Sequence, residues 1–563
     1  MATPLICGFC GCGCRLYLDL SEASIPTGVM PSETSPVNAG RLCRRGWHLF
    51  QPHRSTERWM RPQVREGSLR NPCSWEEAAN LLAQRFSRYT PQEVAFIGSP
   101  TSSNEDAYAL VRYARSVIGT PHLDFPGRGN WARVFETLAA SLPKEALQTS
   151  FDDVMAADLV MLLGMDEGAL FPQITARLHE ARWQGKPIVV ISQGRGDLAQ
   201  LATLFLCPYP RSEMAWLTAL RETLPGSSQD LRRWNLLWEE AGISPEEVEP
   251  LWRMLQEAQH LLMVLDTTSP SLFAALEALA ALAQWLAEWG KAGKGCKVLL
   301  TAERCNTRGA YLMGLAPNRL PGGFPLGDSP TRQRLEMAWE CALPLQGGMD
   351  LPQILRAAAQ GQIKALFLVG SGWEGTYPWP QEWRQALEQV EFLAVMESFP
   401  EEGLAEKADV LLPRPLPGET EGTFVNLEGR VQRSGRALQP SQEIWAEWQL
   451  WHALAERAGR SWGWDGASAI LREIVALTEM DVALATLKEG EWAWAWPKRP
   501  FPLAVEPSPS HRPVPASEEF PLYAVSASHP SDWWSEPLFL QSSTLRREID
   551  RFPTPYFLLH PEV

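Results

Sequence analysis

Cys7-Gly8-Phe9-Cys10-Gly11-Cys12-Gly13-Cys14, answered further on by Arg41-Leu42-Cys43-Arg44-Arg45-Gly46, is the stretch on which the reading of this chain turns. Ten cysteines are few for 563 residues, yet four of them crowd between positions 7 and 14. A disulfide framework spreads its pairs through a small secreted domain, so the crowding points to ligation of a metal or cluster. Three closely spaced thiolates can wrap one side of an iron–sulfur cube while a distant fourth closes the other. Cys7, Cys10, Cys14 and Cys43 supply that arrangement. Gly8, Gly11 and Gly13 let the backbone curl and aim amide donors at the sulfurs. Four cysteines satisfy tetrahedral zinc equally, although zinc sites commonly come as two close pairs. Cys12 reads as a non-ligand that faces away, with a swap of Cys12 for Cys14 left open by spacing. Arg44 and Arg45 can offset cluster charge or line a polar conduit to a neighbouring cofactor; a solvated turn before Trp47 is the bland alternative.

The chain around this stretch is too long for one core and fits about three or four domains. Its 45% hydrophobic and 21% charged content is that of an ordinary soluble protein with substantial cores. A formal net charge of −15, from 51 basic and 66 acidic residues, repels polyanions, so nucleic acid is not an expected partner. The first seven residues lack the basic-then-apolar pattern of a secretory signal. The most apolar stretch, residues 272–286, is interrupted by Glu277 and Gln284 and is short for a bilayer. A cytoplasmic protein without direct membrane insertion is the expectation.

Ser74 and Glu77 form a capping-box pattern, and Ala78, Leu81, Leu82 and Phe86 make one apolar face, which predicts a helix over 74–88. Residues 94–98 read as a buried strand and 104–117 as the helix after it. The pattern recurs: strands at 159–163, 187–191, 261–265, 297–301, 365–369, 392–396 and 410–412, with a helix at 174–183. Short apolar strands alternating with helices indicate a multidomain α/β protein with parallel sheets covered on both faces. Gly98, Gly164 and Gly370 close strands, where ligands approach such sheets, but no GxGxxG or GxxxxGK[ST] motif is present. Trp492, Trp494 and Trp496 suggest a strand with one aromatic face, and the prolines of 497–521 mark a linker or an extended excursion. Residues 522–526 and 555–559 read as strands. Cys73, Cys207, Cys296, Cys305 and Cys341 are dispersed and read as buried apolar residues, and the nine histidines form no HxxxH or HExxH site.

The cysteine arrangement followed by Pro36-Val37-Asn38-Ala39-Gly40-Arg41-Leu42-Cys43 resembles the start of molybdopterin-dependent oxidoreductases, particularly formate dehydrogenase large (alpha) subunits. Further landmarks run in order over the first 435 residues: Ser74-Trp75-Glu76-Glu77-Ala78; Gly98-Ser99 with Thr101, Asn104 and Glu105; Asn306 to Gly314 with Pro317 and Pro321-Gly322. Glu419-Thr420-Glu421-Gly422-Thr423-Phe424-Val425-Asn426, then Glu428-Gly429-Arg430-Val431-Gln432, complete them. The resemblance implies one [4Fe–4S] cluster on Cys7, Cys10, Cys14 and Cys43, with Arg45 as its electron-transfer neighbour. It implies a cluster domain (1–60), an α/β domain in two parts (61–120 and 326–480) interleaved with a second (121–325), a linker (481–520), and the opening of a C-terminal β-barrel (521–563), most of which is missing. Gly98, Ser99, Asn104, Gly164, Gly370, Glu421, Gly422, Thr423, Asn426 and Arg430 match regions that approach the pterin nucleotides.

In formate dehydrogenases the segment after the first α/β unit carries a cysteine or selenocysteine that binds molybdenum or tungsten, then a histidine. Here the sequence is Asn130-Trp131-Ala132-Arg133-Val134-Phe135-Glu136, so Phe135 falls at the metal-ligand position and Glu136 at the histidine position, with Arg133 retained. A phenyl ring cannot ligate metal. The expectation is therefore an iron–sulfur electron-transfer subunit whose partners carry Fe–S, flavin or NAD sites. The competing expectation is an active oxidoreductase whose molybdopterin guanine dinucleotide alone holds Mo or W, with a partner subunit completing the barrel. No catalytic residue is assigned. Replacing Cys43 by serine is expected to abolish the iron–sulfur absorption and EPR signal; unchanged iron content would overturn the ligand set.

Overall fold

The computed structural model describes residues 3–494 apart from 225–226, 269–275, 371–379, 400–402, 440–443 and several positions between 481 and 490. Trp496, the proline-rich residues 497–521 and the strands expected at 522–526 and 555–559 lie outside the described residues, whereas Trp492–Trp494, within the expected linker 481–520, form a strand.

The cysteine loop connects the first two strands of a small antiparallel sheet, β1 (Leu5–Ile6), β2 (Arg15–Leu20) and β3 (Pro26–Pro31). It folds back on itself: the Cys7 amide donates to the Cys14 carbonyl at 2.8 Å and the Gly13 amide to that of Cys10 at 3.2 Å. Gly13 sits at φ +64°, a left-handed conformation that a side chain would strain. Cys43 is the residue before a short helix, Arg44–Trp47.

The chain then lays down β4 (Gln63–Glu66) and β5 (Leu69–Pro72), the helix Trp75–Phe86, β6 (Val94–Ile97), the helix Asn104–Tyr113 and β7 (Leu123–Asp124). The predicted capping box forms, with Ser74 Oγ accepting from the Glu77 amide and Glu77 accepting from that of Ser74. After β7 the chain builds a separate sheet from β8 (Leu159–Leu163), β9 (Ile188–Ile191), β10 (Leu204–Leu206), β11 (His260–Leu265) and β12 (Gly295–Leu300). Its order is β10-β9-β8-β11-β12 and every pairing is parallel. β8 reads Leu-Val-Met-Leu-Leu and is buried throughout, as a strand covered on both faces must be.

Three later strands, β13 (Ala365–Val369), β14 (Phe392–Glu397) and β15 (Val410–Pro413), return to β6 and complete a seven-stranded sheet, β5-β4-β15-β14-β13-β6-β7. This sheet corrects the expectation of purely parallel sheets, because β4 runs antiparallel to both β15 and β5. Gln-Val-Arg-Glu and Leu-Arg-Asn-Pro are too polar to be covered on both faces; as an exposed hairpin they close the edge instead. A last antiparallel sheet, β16 (Gly422–Val425), β17 (Arg430–Ser434) and β18 (Trp492–Trp494), lies against the cysteine domain.

No helix among the described residues is long and apolar enough to cross a membrane. The described part of the apolar stretch belongs to the helix Leu276–Lys291, which buries Leu279, Leu282, Trp285, Leu286 and Trp289. Trp451, on the helix Glu447–Arg457, couples that helix to the seven-stranded sheet through Phe367 (4.7 Å between ring centres), Phe96 (6.0 Å) and Tyr113 (5.6 Å). Trp451→Ala is expected to cost about 3–5 kcal/mol of stability in denaturant unfolding. The control Trp183→Ala, at a residue 96% exposed, should stay within about 0.5 kcal/mol of the parent.

Candidate functional site

Cys7, Cys10, Cys12, Cys14 and Cys43 all border one pocket, which holds about 300 Å3 of space and is finished by Phe9, Leu42, Gly46, Pro172 and Gln173. Four of these thiols are buried and Cys43 is partly so. Cys12 therefore does not turn away, as its spacing suggested. The left-handed Gly13 tightens the loop, and the Asn426 side-chain amide donates to the Cys12 carbonyl at 3.0 Å, so Cys12 stays inside. On the far side, Gln173 Nε2 donates to Cys14 Sγ at 3.4 Å. Gln173 stands in the first turn of the helix Pro172–Trp183, and its amide oxygen accepts from Arg177.

Arg45 and Arg44 part company: Arg44 is exposed, whereas Arg45 is 2% exposed and donates to the carbonyls of Ala169 (3.2 Å) and Leu170 (3.0 Å). Burial works against the Arg45 charge, but the Cys10, Cys43 and Cys7 sulfurs more than offset it and hold the guanidinium protonated. Burial raises the Cys7 and Cys14 thiols well above the ordinary thiol range. The neighbouring Cys12 thiol, with Arg45 and Arg304, lowers the Cys10 thiol against the penalty of burial. Among the described residues no group of three or more His, Cys, Asp or Glu side chains gathers at a single-ion position.

A second and larger cavity, about 1160 Å3, opens where β6, β13, β14 and β15 end. Parallel sheets take ligands at these carboxyl ends. Its wall combines Gly8 and Phe9 of the cysteine loop with Ser99, Glu397, Arg304 and Arg414. Ser99 borders this cavity and Gly370 (φ +83°) lies beside it, while Gly98 is packed behind against Leu315 and Leu110. The other expected cofactor contacts go elsewhere. Gly164 ends β8 in the other sheet, and Asn104 donates to Thr423 Oγ1. Glu421 pairs with Arg433, Gly422 packs against Ser103, and Thr423 donates to Glu105. Asn426 and Arg430 both donate to Glu428. From that segment it is Thr420 and Phe424 that reach the cavity.

Sequence reading passed over Arg414, Glu447 and Asp106, all on the cavity wall. Arg414 Nε donates to Glu447 Oε1 at 2.7 Å, and its other nitrogens donate to Thr101 and Ser102, so one guanidinium ties three segments together. Burial, with Glu447 beside it, raises the Asp106 carboxyl to about 7. The position of Arg414 directly after a buried strand was the available signal.

Phe135, Glu136 and Arg133 belong to the helix Arg128–Ser141, and none borders the cavity among the described residues. Phe135 is 1% exposed; it stacks on Trp131 (4.8 Å), meets Tyr311 edge-on (6.1 Å) and lies under the Arg308 guanidinium (5.4 Å). Glu136 accepts from Tyr311 at 2.7 Å and from Arg319 at 3.1 Å, and Arg133 donates to Asn130. The dispersed cysteines are less uniform than expected: Cys305 is buried, Cys73, Cys296 and Cys341 are partly exposed, and Cys207 is exposed. Three of the last four lie on helix ends, edges or loops where apolar periodicity gives no burial signal.

Residues 1–52 match the molybdopterin oxidoreductase Fe4S4 domain, and residues 267–457 match the molybdopterin oxidoreductase family. The chain is homologous to the molybdopterin oxidoreductases. As a homologue of that family it is 28% identical over 504 residues to the "Probable oxidoreductase YjgC" of Bacillus subtilis, which covers 84% of this chain and 51% of YjgC. It is 27% identical over 525 residues to the F420-dependent formate dehydrogenase 2 subunit alpha of Methanococcus maripaludis, covering 88% of this chain and 77% of that one. The chain thus spans about half the length of YjgC. Acetylene hydratase from Pelobacter acetylenicus shares the fold, with a TM-score of 0.60 at 14% identity over 85% of this chain and 73% of that one.

Behind the cavity wall, Glu105 is buried under Thr423, and desolvation raises its carboxyl to about 7 despite the donors it accepts. The folded chain holds this proton more tightly than the unfolded chain does. Stability from this group is therefore present below about pH 4.5 and falls as pH rises towards 7. Glu105→Gln should flatten that fall by on the order of 1–3 kcal/mol, read as urea midpoints across the window.

Proposed function

We propose that this chain is the iron–sulfur electron-transfer subunit of a cytoplasmic redox complex, related to formate dehydrogenase alpha subunits but without formate chemistry of its own. Cys7, Cys10, Cys14 and Cys43 hold one [4Fe–4S] cluster in this reading. The single observation that carries it is the pocket in which these thiols converge beside the buried Arg45. The donor set fits the cube: sulfur ligands, a nearby cation to offset thiolate charge, and a side-chain amide aimed at a sulfur. When bound, the cluster supplies one-electron transfer. The chain's own part is to exclude water from the sulfurs, hold Cys14 through Gln173, and keep Arg45 charged between the cluster and the five-stranded sheet. The shared seven-stranded sheet, drawn from residues before 125 and after 364, supports interleaved domains close to 61–120 with 326–480 around 121–325.

The described residues do not fit a protein-ligated molybdenum or tungsten. Phe135, at the position the resemblance gives to the metal ligand, is locked into an aromatic block, and the carboxylates of Asp106, Glu303, Glu397 and Glu447 outnumber Arg304 and Arg414 on the cavity wall, which disfavours the anionic phosphates of a pterin nucleotide. A second reading, an active Mo or W oxidoreductase whose metal is held by pterin alone and whose barrel a partner completes, is favoured by the cavity's place at the carboxyl ends of parallel strands. Elemental and pterin analysis of the purified protein decides between them. The expected result is about four iron atoms per chain, as one cube holds, without Mo or W. Stoichiometric Mo or W with pterin would sink the electron-transfer reading.

A further inference from the structure

Gln173 meets the sulfur-lined pocket from the first turn of the helix Pro172–Trp183 and is 2% exposed. Its side-chain nitrogen has two acceptors within reach, Cys14 Sγ and the Arg41 carbonyl, each at 3.4 Å. Its oxygen faces a donor instead, Arg177 Nη1 at 3.2 Å. A guanidinium only donates and a carbonyl only accepts. The two ends of the amide are therefore not interchangeable: turned over, it would set N–H against N–H and oxygen against oxygen. Arg177 follows one helical turn later and is buried, with its guanidinium over the Phe151 ring at 5.7 Å and 3.6 Å from Asp152. Phe151 is tied in turn to Glu428, which accepts from its amide at 2.8 Å. A donor on a cluster sulfur draws charge from it, and the bond strengthens when the cluster gains an electron. A cation on the far end of the amide polarises that donor and strengthens it again.

We propose that Gln173 raises the reduction potential of the cluster through an N–H···S bond to Cys14, and that Arg177 is the positioning residue that keeps the amide nitrogen turned to the sulfur. One electron enters the cluster from a reduced Fe–S or flavin centre of a partner; no covalent bond changes and no proton moves. The hydrogen bond favours the reduced, more negative cluster over the oxidised one, and the potential rises by that difference. This inference rests on the cluster reading above.

The test is an EPR-monitored redox titration of the full chain, reconstituted anaerobically with iron and sulfide and reduced by dithionite, with iron content measured alongside. Gln173→Met, close to glutamine in shape but without the donor, is expected to keep the parental iron and to lower the midpoint potential, the reduction equilibrium weakening several-fold. Water let in by looser packing would stabilise the reduced cluster and move the potential upward, so the sign separates a lost donor from a disturbed fold. Arg177→Met leaves every residue of the pocket in place and should lower the potential by less. In the double variant it should add little to Gln173→Met, because it acts through the amide. An unchanged or raised potential in either single variant overturns the proposal, and so do fully additive shifts. If Gln173→Met takes up no iron, Arg177→Met decides alone. A parent protein that takes up no iron would instead bring down the cluster reading itself.

Discussion

The cysteine loop and the β16–β17 hairpin are separated by some four hundred residues of chain, and three hydrogen bonds to consecutive carbonyls join them. Leu427, Asn426 and Gln432 donate to Gly11, Cys12 and Gly13 in turn. Each such bond contributes only about 0.5–1.5 kcal/mol net, so their weight lies in geometry. They fix the loop's backbone in one orientation, and that orientation sends its four sulfurs to the side where Cys43 meets them. The hairpin is itself fastened to the helix Asn104–Tyr113 through Thr423 and Glu105, and to the loop before Thr307 through Val425 and Asn306. The small sheet, both α/β units and the pocket are therefore located relative to one another by this one junction.

Buried charge follows the same seams. Arg58 grips Glu419 with both nitrogens, one of them at 2.6 Å, where the N-terminal segment meets the end of the seven-stranded sheet. His53, packed beside them, is pushed by burial down to about 4, so it stays neutral and adds no third charge. Arg45 spans from the cysteines to the carbonyls that precede the helix Pro172–Trp183. Breaking any such pair would leave an uncompensated ion in a dry place, which makes the junctions specific as well as stable.

The two cavities divide the chemistry. One is small and sulfur-lined; the other is wider, rich in carboxylates and lies at the ends of the parallel strands. Phe9 and the Arg304 side chain, which donates to the Phe9 carbonyl at 3.3 Å, form the partition between them. The aromatic block of Trp131, Phe135 and Tyr311 stands apart from both.

Local signals were strong enough to be read directly. The capping box at Ser74, the buried strands at 94–97, 159–163 and 365–369, and the 3+1 cysteine spacing all depend on residues close in sequence, where propensity and periodicity act. The polar hairpin 63–72 escaped because its strands are edge strands with no apolar period. Nothing local could have paired Asn426 with Cys12, set Gln173 on Cys14, buried Arg45 while leaving Arg44 in water, or moved Asn104 and Glu421 away from the cavity. Those outcomes are settled by which distant segments share a boundary, and a buried polar group goes wherever a partner closes its hydrogen bonds. The sequence by itself determined the elements and the sulfur-rich loop. That all five thiols border one pocket is a tertiary outcome, because a hairpin four hundred residues away holds the carbonyls of the loop that carries four of them, and Cys43 arrives on a separate segment.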